Sequence, residues 1–280
     1  MGKIQPEIKM MKVGRQKLRT AIWRGTGTAR PILFFNGIGA NLETMAPLGK
    51  MLQNRCDVIT FDMPGIGGSP NPGLPYRPST AVKWAKRILE ELGVGEVDVM
   101  GVSWGGGMAQ QFARTYPKCA RSLALLSTSA GMFMVPGNIS ALSRMAQPKR
   151  YTDPNYMMKN FETLYGDSVD QSAEDHKNRV SPPTRKGYAY QLMAMAGWTS
   201  IHFLPFLKQP TLVMSGDKDT IVPLINARIL HAAIPRANLS VVKGGGHLFM
   251  LSRTAEIVPV ITRFFDDHAT ENISGATCPA

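Results

Sequence analysis

Apolar residues along the chain fall into short continuous runs, which alternate with stretches where apolar positions recur at helical spacing. Short apolar runs are typical of buried strands, and helical spacing is typical of amphipathic helices that pack on them. We predict buried strands at 31–37, 57–62, 97–102, 122–128, 210–216 and 239–247. We predict helices at 41–52, 79–93, 106–117, 224–234 and 255–269. This alternation predicts an α/β fold with a mostly parallel central sheet flanked by helices.

Two regions depart from the alternation. Residues 7–25 contain two alternating runs around a Gly-Arg turn, which predicts a β-hairpin. Residues 131–205 are rich in Met, Tyr, Pro and charge, and no buried strand stands out there. We therefore predict a discontinuous core formed by 1–130 and 206–270, with a helical cap inserted at 131–205. The last residues, 271–280, are predicted to form a frayed tail.

Length and composition narrow the class of protein. The chain has 280 residues, of which 44% are hydrophobic, enough to bury one large core with a small cap. No apolar run approaches the roughly 18 residues of a membrane span, and the first residues lack the apolar region of a secretory signal. These features predict a cytoplasmic protein without a transmembrane segment. The net charge of +12 is spread along the chain without a basic cluster, so no nucleic-acid partner is expected.

The cysteines and histidines give no sign of a metal site. Cys56, Cys119 and Cys278 are odd in number and widely spaced, which predicts neither a disulfide framework nor a zinc site. The five histidines include no pair at metal-ligand spacing. We expect no metal and no other cofactor, and the sequence gives no indication of the oligomeric state.

The segment GVSWG at 101–105 joins a predicted strand to a predicted helix. Glycines on both sides of such a turn let two backbones pass where a Cβ would collide. A serine placed between them projects its hydroxyl from a sharp strand-to-helix turn, the arrangement known as a nucleophile elbow. Ser103 is therefore the candidate nucleophile.

A serine needs a base that removes its proton, and the base needs an acid that orients it. In folds with this elbow, acid and base follow later strands, in the chain order serine, acid, histidine. Asp217 and Asp219 follow the strand at 210–216, and His247 follows the last strand behind three glycines. His247 is the candidate base, and either aspartate could be the acid.

Charge that develops on a substrate carbonyl oxygen must be stabilised by N–H donors. One donor is expected to be the backbone N–H of Trp104, the residue after the candidate nucleophile. The second should come from the loop after an early strand, here FFNGIGAN at 34–41. We predict the backbone N–H of Ile38 as this second donor.

Four motifs together resemble the intracellular poly(3-hydroxyalkanoate) depolymerases, which are α/β-hydrolases that cut storage polyester in bacterial granules. The motifs are GVSWGG at 101–106, FNGIGANLE at 35–43, FDMPGIGGS at 61–69 and GWTSIH at 197–202. The similarity runs from about Val13 to Phe265. The resemblance implies an α/β-hydrolase fold with an inserted helical cap.

The resemblance also implies roles for individual residues. Ser103 would be the nucleophile, Asp219 the acid and His247 the base. In the α/β-hydrolase superfamily the acid follows a glycine by three residues and precedes a proline, and Gly216, Asp219 and Pro223 match this spacing. Asp217 is the reserve candidate. Related polyester synthases carry cysteine at the nucleophile position, so a serine favours hydrolysis over chain growth.

Trp104, Trp198 and Met132 are predicted to line an apolar substrate pocket, because indole and methionine side chains suit alkyl groups. Packing of these side chains under the cap is the alternative. The predicted function is a serine ester hydrolase that cleaves poly(3-hydroxyalkanoate) or its oligomers, in the cytoplasm and at granule surfaces. A small-ester, lactone or C–C bond hydrolase of the same fold is the first alternative. A non-catalytic granule-surface protein is the second, and the serine, aspartate and histidine in the correct order argue against it.

Overall fold

The computed structural model describes residues 5–145, 147, 149, 153–167, 171–271 and 278. Within these ranges, eight strands form one sheet in the order β1-β2-β4-β3-β5-β6-β7-β8. The strands are β1 Glu7–Val13, β2 Gln16–Trp23, β3 Ile32–Phe35, β4 Val58–Phe61, β5 Val97–Val102, β6 Ala120–Leu126, β7 Thr211–Gly216 and β8 Ala237–Val242. β2 pairs antiparallel with β1 and β4, and the other pairs are parallel. The predicted hairpin and mostly parallel sheet are confirmed.

Helices cover both faces of this sheet. They are α1 Ala46–Leu52, α2 Pro78–Glu91, α3 Trp104–Thr115, α9 Leu224–Ala233, α10 Phe249–Ser252 and α11 Thr254–Asp267, with a short 3-10 helix at Leu42–Met45. Alternate side chains of a strand point to opposite faces. Leu33 and Phe35 of β3 accordingly pack in the same cluster as Phe112 of α3, whereas Phe34 packs in the cluster that contains Phe265 of α11. Burial on both faces explains why the central strands are continuous apolar runs.

Short helices occupy the segment between β6 and β7. They are α4 Ile139–Met145, α5 Pro154–Lys159, α6 Phe161–Tyr165, α7 Gln171–Arg179 and α8 Arg185–Met195, followed by a 3-10 helix at Leu204–Phe206. The described residues of this inserted segment contribute no strand to the sheet. The segment is helical, as expected for a cap, while the division into domains at residues 131 and 205 stays a prediction.

Two residues of the predicted C-terminal tail are held by contacts with the core, and the expectation that the cysteines form no disulfide is wrong. Of the predicted tail, Glu271 and Cys278 lie within the described residues. Cys278 is buried and forms a disulfide with Cys119, which precedes β6. Glu271 pairs with Arg236 through its carboxylate and accepts a hydrogen bond from Arg121 through its carbonyl oxygen. Because 159 residues separate the two cysteines in the chain, their spacing gave no sign of the pairing.

Parallel strands deliver their carboxyl ends, and the loops that follow them, to one edge of the sheet. The loops after β3, β5, β7 and β8 therefore meet at this edge, and they carry the candidate residues identified from the sequence. Across the described ranges, the helices are too short or too polar to cross a membrane.

Candidate active site

Ser103 lies between the end of β5 at Val102 and the start of α3 at Trp104. Its backbone has φ 55° and ψ −120°, a positive φ that residues other than glycine seldom adopt. A Cβ at position 101 would lie 2.6 Å from the carbonyl carbon of Gly105, and a Cβ at Gly105 would lie 2.6 Å from that of Phe35. Both flanking glycines are therefore required for the close approach of backbones that forms the elbow.

His247 and Asp219 form a buried pair beside this elbow. The ring Nδ1 of His247 lies 3.0 Å and 2.8 Å from Oδ1 and Oδ2 of Asp219. The carboxylate also accepts hydrogen bonds from the backbone N–H groups of Ile221 and Val222, at 2.9 Å and 2.8 Å. Since Nδ1 is engaged, Nε2 is the ring atom that can accept a proton from the serine.

The structure distinguishes the two aspartates that the sequence left open. The carboxylate of Asp219 holds the imidazole, whereas Asp217 is exposed and accepts a hydrogen bond from the backbone N–H of Gly244 at 2.6 Å. Asp217 thus braces the glycine-rich loop from outside and does not contact the histidine. Its position makes it a structural residue of the loop.

Ser103 and His247 line the same cavity, which holds about 600 Å³ of empty space including its open mouth. Its apolar lining is formed by Ile38, Ala40, Met45, Val102, Met145, Met157, Val180, Ile221 and Leu248. Among the described residues, the Ser103 hydroxyl makes no hydrogen bond to the His247 ring. Catalytic hydrogen bonds of this type commonly tighten only in the substrate complex.

The two candidate oxyanion donors flank the serine. Ile38 lies in the loop after β3 and lines the cavity, and a Cβ at the neighbouring Gly37 would lie 3.8 Å from the Cβ of Ser103. Trp104 is the first residue of α3, so its backbone N–H has no acceptor within the helix. Both residues thus lie where the sequence places them, and their role as donors is part of the proposal below.

The three side chains predicted to line the pocket lie elsewhere, so this part of the sequence interpretation needs correction. The Trp104 indole is 8% exposed, and its Nε1–H donates to the backbone oxygen of Gln191 at 3.1 Å. Trp198 lies against α3, with its Nε1–H donating to Gln111 at 2.8 Å, and Met132 is 56% exposed. None of the three lines the cavity that contains Ser103. The indoles are held by polar partners in packed positions, and the apolar side chains that line the cavity are aliphatic residues and methionines, together with Tyr165.

Two polar residues of the inserted segment were not identified from the sequence. Gln191 of α8 is 1% exposed, and its Oε1 accepts a hydrogen bond from the backbone N–H of Gly39 at 2.8 Å. Asp167, after α6, accepts from the backbone N–H groups of Gly246 and Leu248 at 3.1 Å and 2.7 Å. Gln191 therefore braces the loop after β3, and Asp167 braces the histidine loop. No local sequence pattern marks either residue, because both act on loops that are distant in the chain.

A third buried carboxylate supports the same edge of the sheet. Asp62 follows β4 and accepts hydrogen bonds from the backbone N–H groups of Leu42 and Gly68 at 2.8 Å and 2.9 Å. Burial raises the pKa of Asp62 to about 6, against the opposing effect of these hydrogen bonds and of Arg19. Asp62 thereby connects the loop after β3 to the FDMPGIGGS motif. In the described part of the chain, no group of three His, Cys, Asp or Glu side chains is placed to hold a metal ion.

Comparison of the sequence with known proteins identifies the family of this chain. A family model described as "alpha/beta hydrolase fold" matches residues 30–254. The chain belongs to the α/β-hydrolase family. Among curated relatives, the hydrolase is 43% identical over 264 residues to the "Poly(3-hydroxyalkanoate) depolymerase" of Ectopseudomonas oleovorans, and the match covers 93% of both chains. The resemblance indicated by the sequence motifs is confirmed.

Solved structures support the same fold. The 2-hydroxy-6-oxo-6-phenylhexa-2,4-dienoate hydrolase of Rhodococcus sp. strain RHA1 has a TM-score of 0.79 at 18% identity, over 94% of this hydrolase and 100% of that chain. A thermophilic esterase of Thermogutta terrifontis has a TM-score of 0.77 at 22% identity, over 95% and 100% of the two chains. At these identities the likeness concerns the fold and not the substrate.

The two aspartates provide a test of the site geometry. Asp219→Asn should leave the His247 ring misoriented or in the wrong tautomer, and should lower kcat by about 10⁴, as in another triad. Asp217→Asn is the matched control on the same pair of loops, and it should change kcat by less than about fivefold, because the asparagine oxygen can still accept the hydrogen bond from the exposed Gly244 N–H. Steady-state kinetics on a soluble ester measures both. The assignment of the acid fails if Asp217→Asn is the more damaging change.

Proposed function

We propose that this hydrolase is a serine esterase that cleaves poly(3-hydroxyalkanoate) polyester or its oligomers through an acyl-enzyme on Ser103. The observation that carries the proposal is the buried His247–Asp219 pair beside a serine elbow, in a cavity with an apolar lining. The identity of 43% to the Ectopseudomonas oleovorans relative supports the choice of polyester as substrate.

In the first half of the reaction, the Ser103 hydroxyl attacks the ester carbonyl carbon while His247 Nε2 takes its proton. Asp219, ionised and bonded to Nδ1, stabilises the imidazolium that forms. The tetrahedral intermediate then collapses, the C–O bond to the leaving hydroxyacyl chain breaks, and the imidazolium returns the proton to the departing alcohol. In the second half, His247 activates water, which releases the acyl group as a carboxylic acid and restores the serine.

The backbone N–H groups of Ile38 and Trp104 are proposed to donate to the carbonyl oxygen as it becomes negative. Loss of one such donor costs about 10² to 10³ in kcat in another serine hydrolase. Gln191 bonds to Gly39, next to Ile38, and to the Trp104 indole, next to the Trp104 amide. Gln191 thus connects the two elements that carry the proposed donors.

The cavity lining suits the alkyl side chain of a hydroxyalkanoate unit. Met45, Met145 and Met157 lie in this lining, and the unbranched thioether side chain adapts to ligands of different shape. We propose that the acyl unit of the substrate lies among these methionines while its ester carbonyl faces Ser103.

The inserted segment also exposes apolar side chains, which supports action at a polyester surface. In the described part of the segment between β6 and β7, six large apolar side chains are more than half exposed, and apolar surface can serve to contact an apolar partner. They are Met132, Phe133, Ile139, Leu192, Met193 and Phe206. We propose that the hydrolase works in the cytoplasm at the surface of storage granules and that these side chains contact the polymer.

Ser103→Ala removes the proposed nucleophile and should lower kcat on the order of 10⁶, to background. The measurement is clearing of emulsified poly(3-hydroxyalkanoate), alongside turnover of soluble p-nitrophenyl esters. Ser79→Ala, an exposed serine in the first turn of α2, is the matched control and should retain full activity. Retention of more than a few per cent of activity by folded Ser103→Ala would exclude the acyl-serine mechanism. Turnover of soluble esters without clearing would instead favour a small-ester hydrolase.

Met157→Phe narrows the proposed acyl site and should alter chain-length preference. Met157 is 3% exposed and lines the cavity, so a rigid ring there leaves less room for a long acyl chain. We expect kcat/KM to fall roughly tenfold or more for twelve-carbon esters, and by less than about threefold for four-carbon esters. The neighbouring Met158→Phe is the control, since Met158 does not line the cavity. Equal losses at all chain lengths would place the acyl chain elsewhere.

A further inference from the structure

The loop that carries His247 is held from outside the sheet by residues 164–167 of the inserted segment. The backbone N–H of His247 donates to the carbonyl oxygen of Tyr165 at 2.5 Å. On the neighbouring acid loop, the Thr220 hydroxyl donates to the carbonyl oxygen of Leu164 at 2.9 Å. One short stretch of chain after β6 thus contacts both loops that supply the acid and the base.

Asp167 makes the most extensive of these contacts. Its Oδ1 accepts from the backbone N–H of Gly246 at 3.1 Å and from the Ser252 hydroxyl at 3.2 Å. Its Oδ2 accepts from the backbone N–H of Leu248 at 2.7 Å. The carboxylate therefore binds the residues immediately before and after His247, while Tyr165 binds His247 itself.

Residues 164–167 and the histidine loop approach each other so closely that a side chain does not fit at the points of contact. A Cβ at Gly246 would lie 2.5 Å from the backbone nitrogen of Asp167, and Gly166 adopts φ 74°, which favours glycine. Asp167 is 5% exposed, and the N–H groups of Gly246 and Leu248 belong to buried residues, so both would lack a partner if the carboxylate were removed. Burial raises the pKa of Asp167, whereas the hydrogen bonds from Leu248 and Gly246 and the nearby His247 lower it.

We infer that Asp167 is a positioning residue for the proposed reaction: its carboxylate fixes the backbone on both sides of His247 and so holds the imidazole between Asp219 and Ser103. The inference rests on the proposed function for its catalytic consequence. Two carboxylates thus hold His247 in place. Asp219 bonds to its ring nitrogen, and Asp167 bonds to the main chain on either side of it. The inserted segment therefore helps to position the histidine base, in addition to lining the cavity.

Only a carboxylate meets this requirement at position 167. A carboxylate offers two acceptor oxygens, which here accept three donors, whereas an asparagine side chain offers one acceptor oxygen and an NH₂ group that donates. In Asp167→Asn the NH₂ group faces the backbone N–H of Leu248 in one orientation and that of Gly246 in the other, and two donors cannot bond to each other. The loop should therefore shift, and a displacement of about 1 Å at a catalytic group costs on the order of 10² in rate.

The test compares Asp167→Asn with Asp153→Asn in the full-length chain. Asp153 lies in the same inserted segment and also accepts two backbone N–H bonds, from Asn155 and Tyr156 at the start of α5. Asparagine is an equally good N-cap, so this control should match the wild type. For Asp167→Asn we expect kcat on a p-nitrophenyl ester to fall about 10²-fold, with KM within about threefold of wild type because the cavity lining is unchanged.

A spectroscopic readout separates positioning from general loss of stability. The proton on His247 Nδ1, bonded to Asp219, gives a low-field NMR resonance that can be assigned by its loss in His247→Gln. We expect this resonance to shift or disappear in Asp167→Asn and to persist in Asp153→Asn. If Asp167→Asn does not fold, Asp167→Glu is measured instead, since its extra methylene displaces the loop while the charge is kept.

The inference is overturned if folded Asp167→Asn has a kcat within about twofold of wild type and an unshifted Nδ1–H resonance. An increase in KM with unchanged kcat would also overturn it, because that result would place Asp167 in substrate binding. The proposed function fails separately, if wild-type protein hydrolyses no ester. In that case the resonance still tests whether Asp167 orients His247.

Discussion

Ser103 has a positive φ, and the arrangement of the whole site depends on this conformation. A non-glycine residue in such a region costs on the order of 1–3 kcal/mol, so the surrounding structure must over-determine it. Here β5 is fully buried in the middle of the sheet, and the glycines at 101 and 105 let α3 start directly against β3 and β5. Packing thus holds the backbone, together with hydrogen bonds from the Ser103 N–H to the Leu126 carbonyl oxygen and from the Thr128 hydroxyl to the Ser103 carbonyl oxygen. The result is a hydroxyl presented at the carboxyl edge of the sheet.

The other parts of the site are loops brought to that hydroxyl by parallel strands. Parallel topology places the ends of β3, β7 and β8 near the end of β5, but loops alone do not give fixed geometry. Buried acceptors supply it: Asp219 binds the imidazole, Gln191 binds the loop after β3, and Asp167 binds the histidine loop. Two of these three come from the inserted segment. The segment and the sheet edge are therefore joined by buried hydrogen bonds, and removal of the segment would leave the backbone N–H groups of Gly39, Gly246 and Leu248 without these partners.

The sequence predicts the features that arise from local patterns. Continuous apolar runs predict the central strands, because burial on both faces leaves no polar positions. Glycines around Ser103 predict the elbow, because backbone conformation depends on residues adjacent in the chain. His247 and the aspartates are found because they follow strands whose ends must converge. Contacts between residues that are distant in the chain cannot be predicted from local patterns. The Trp104 ring, expected in the pocket, bonds to Gln191 instead, and Cys119 pairs with Cys278 at a sequence separation of 159. Asp167 belongs to the sequence stretch GDSVD at 166–170, where the residue pattern does not distinguish it from a surface residue.

Covalent trapping of the nucleophile tests directly whether Ser103 is activated by His247 at the carboxyl edge of the sheet. An alkyl fluorophosphonate forms a stable tetrahedral adduct with an activated serine, and peptide mass spectrometry locates it. We predict one adduct per chain, on the peptide that contains Ser103, and no adduct on folded His247→Ala. Absence of an adduct at Ser103 in the folded wild-type protein would show that Ser103 is not an activated nucleophile, and equal labelling of His247→Ala would show that His247 does not activate it.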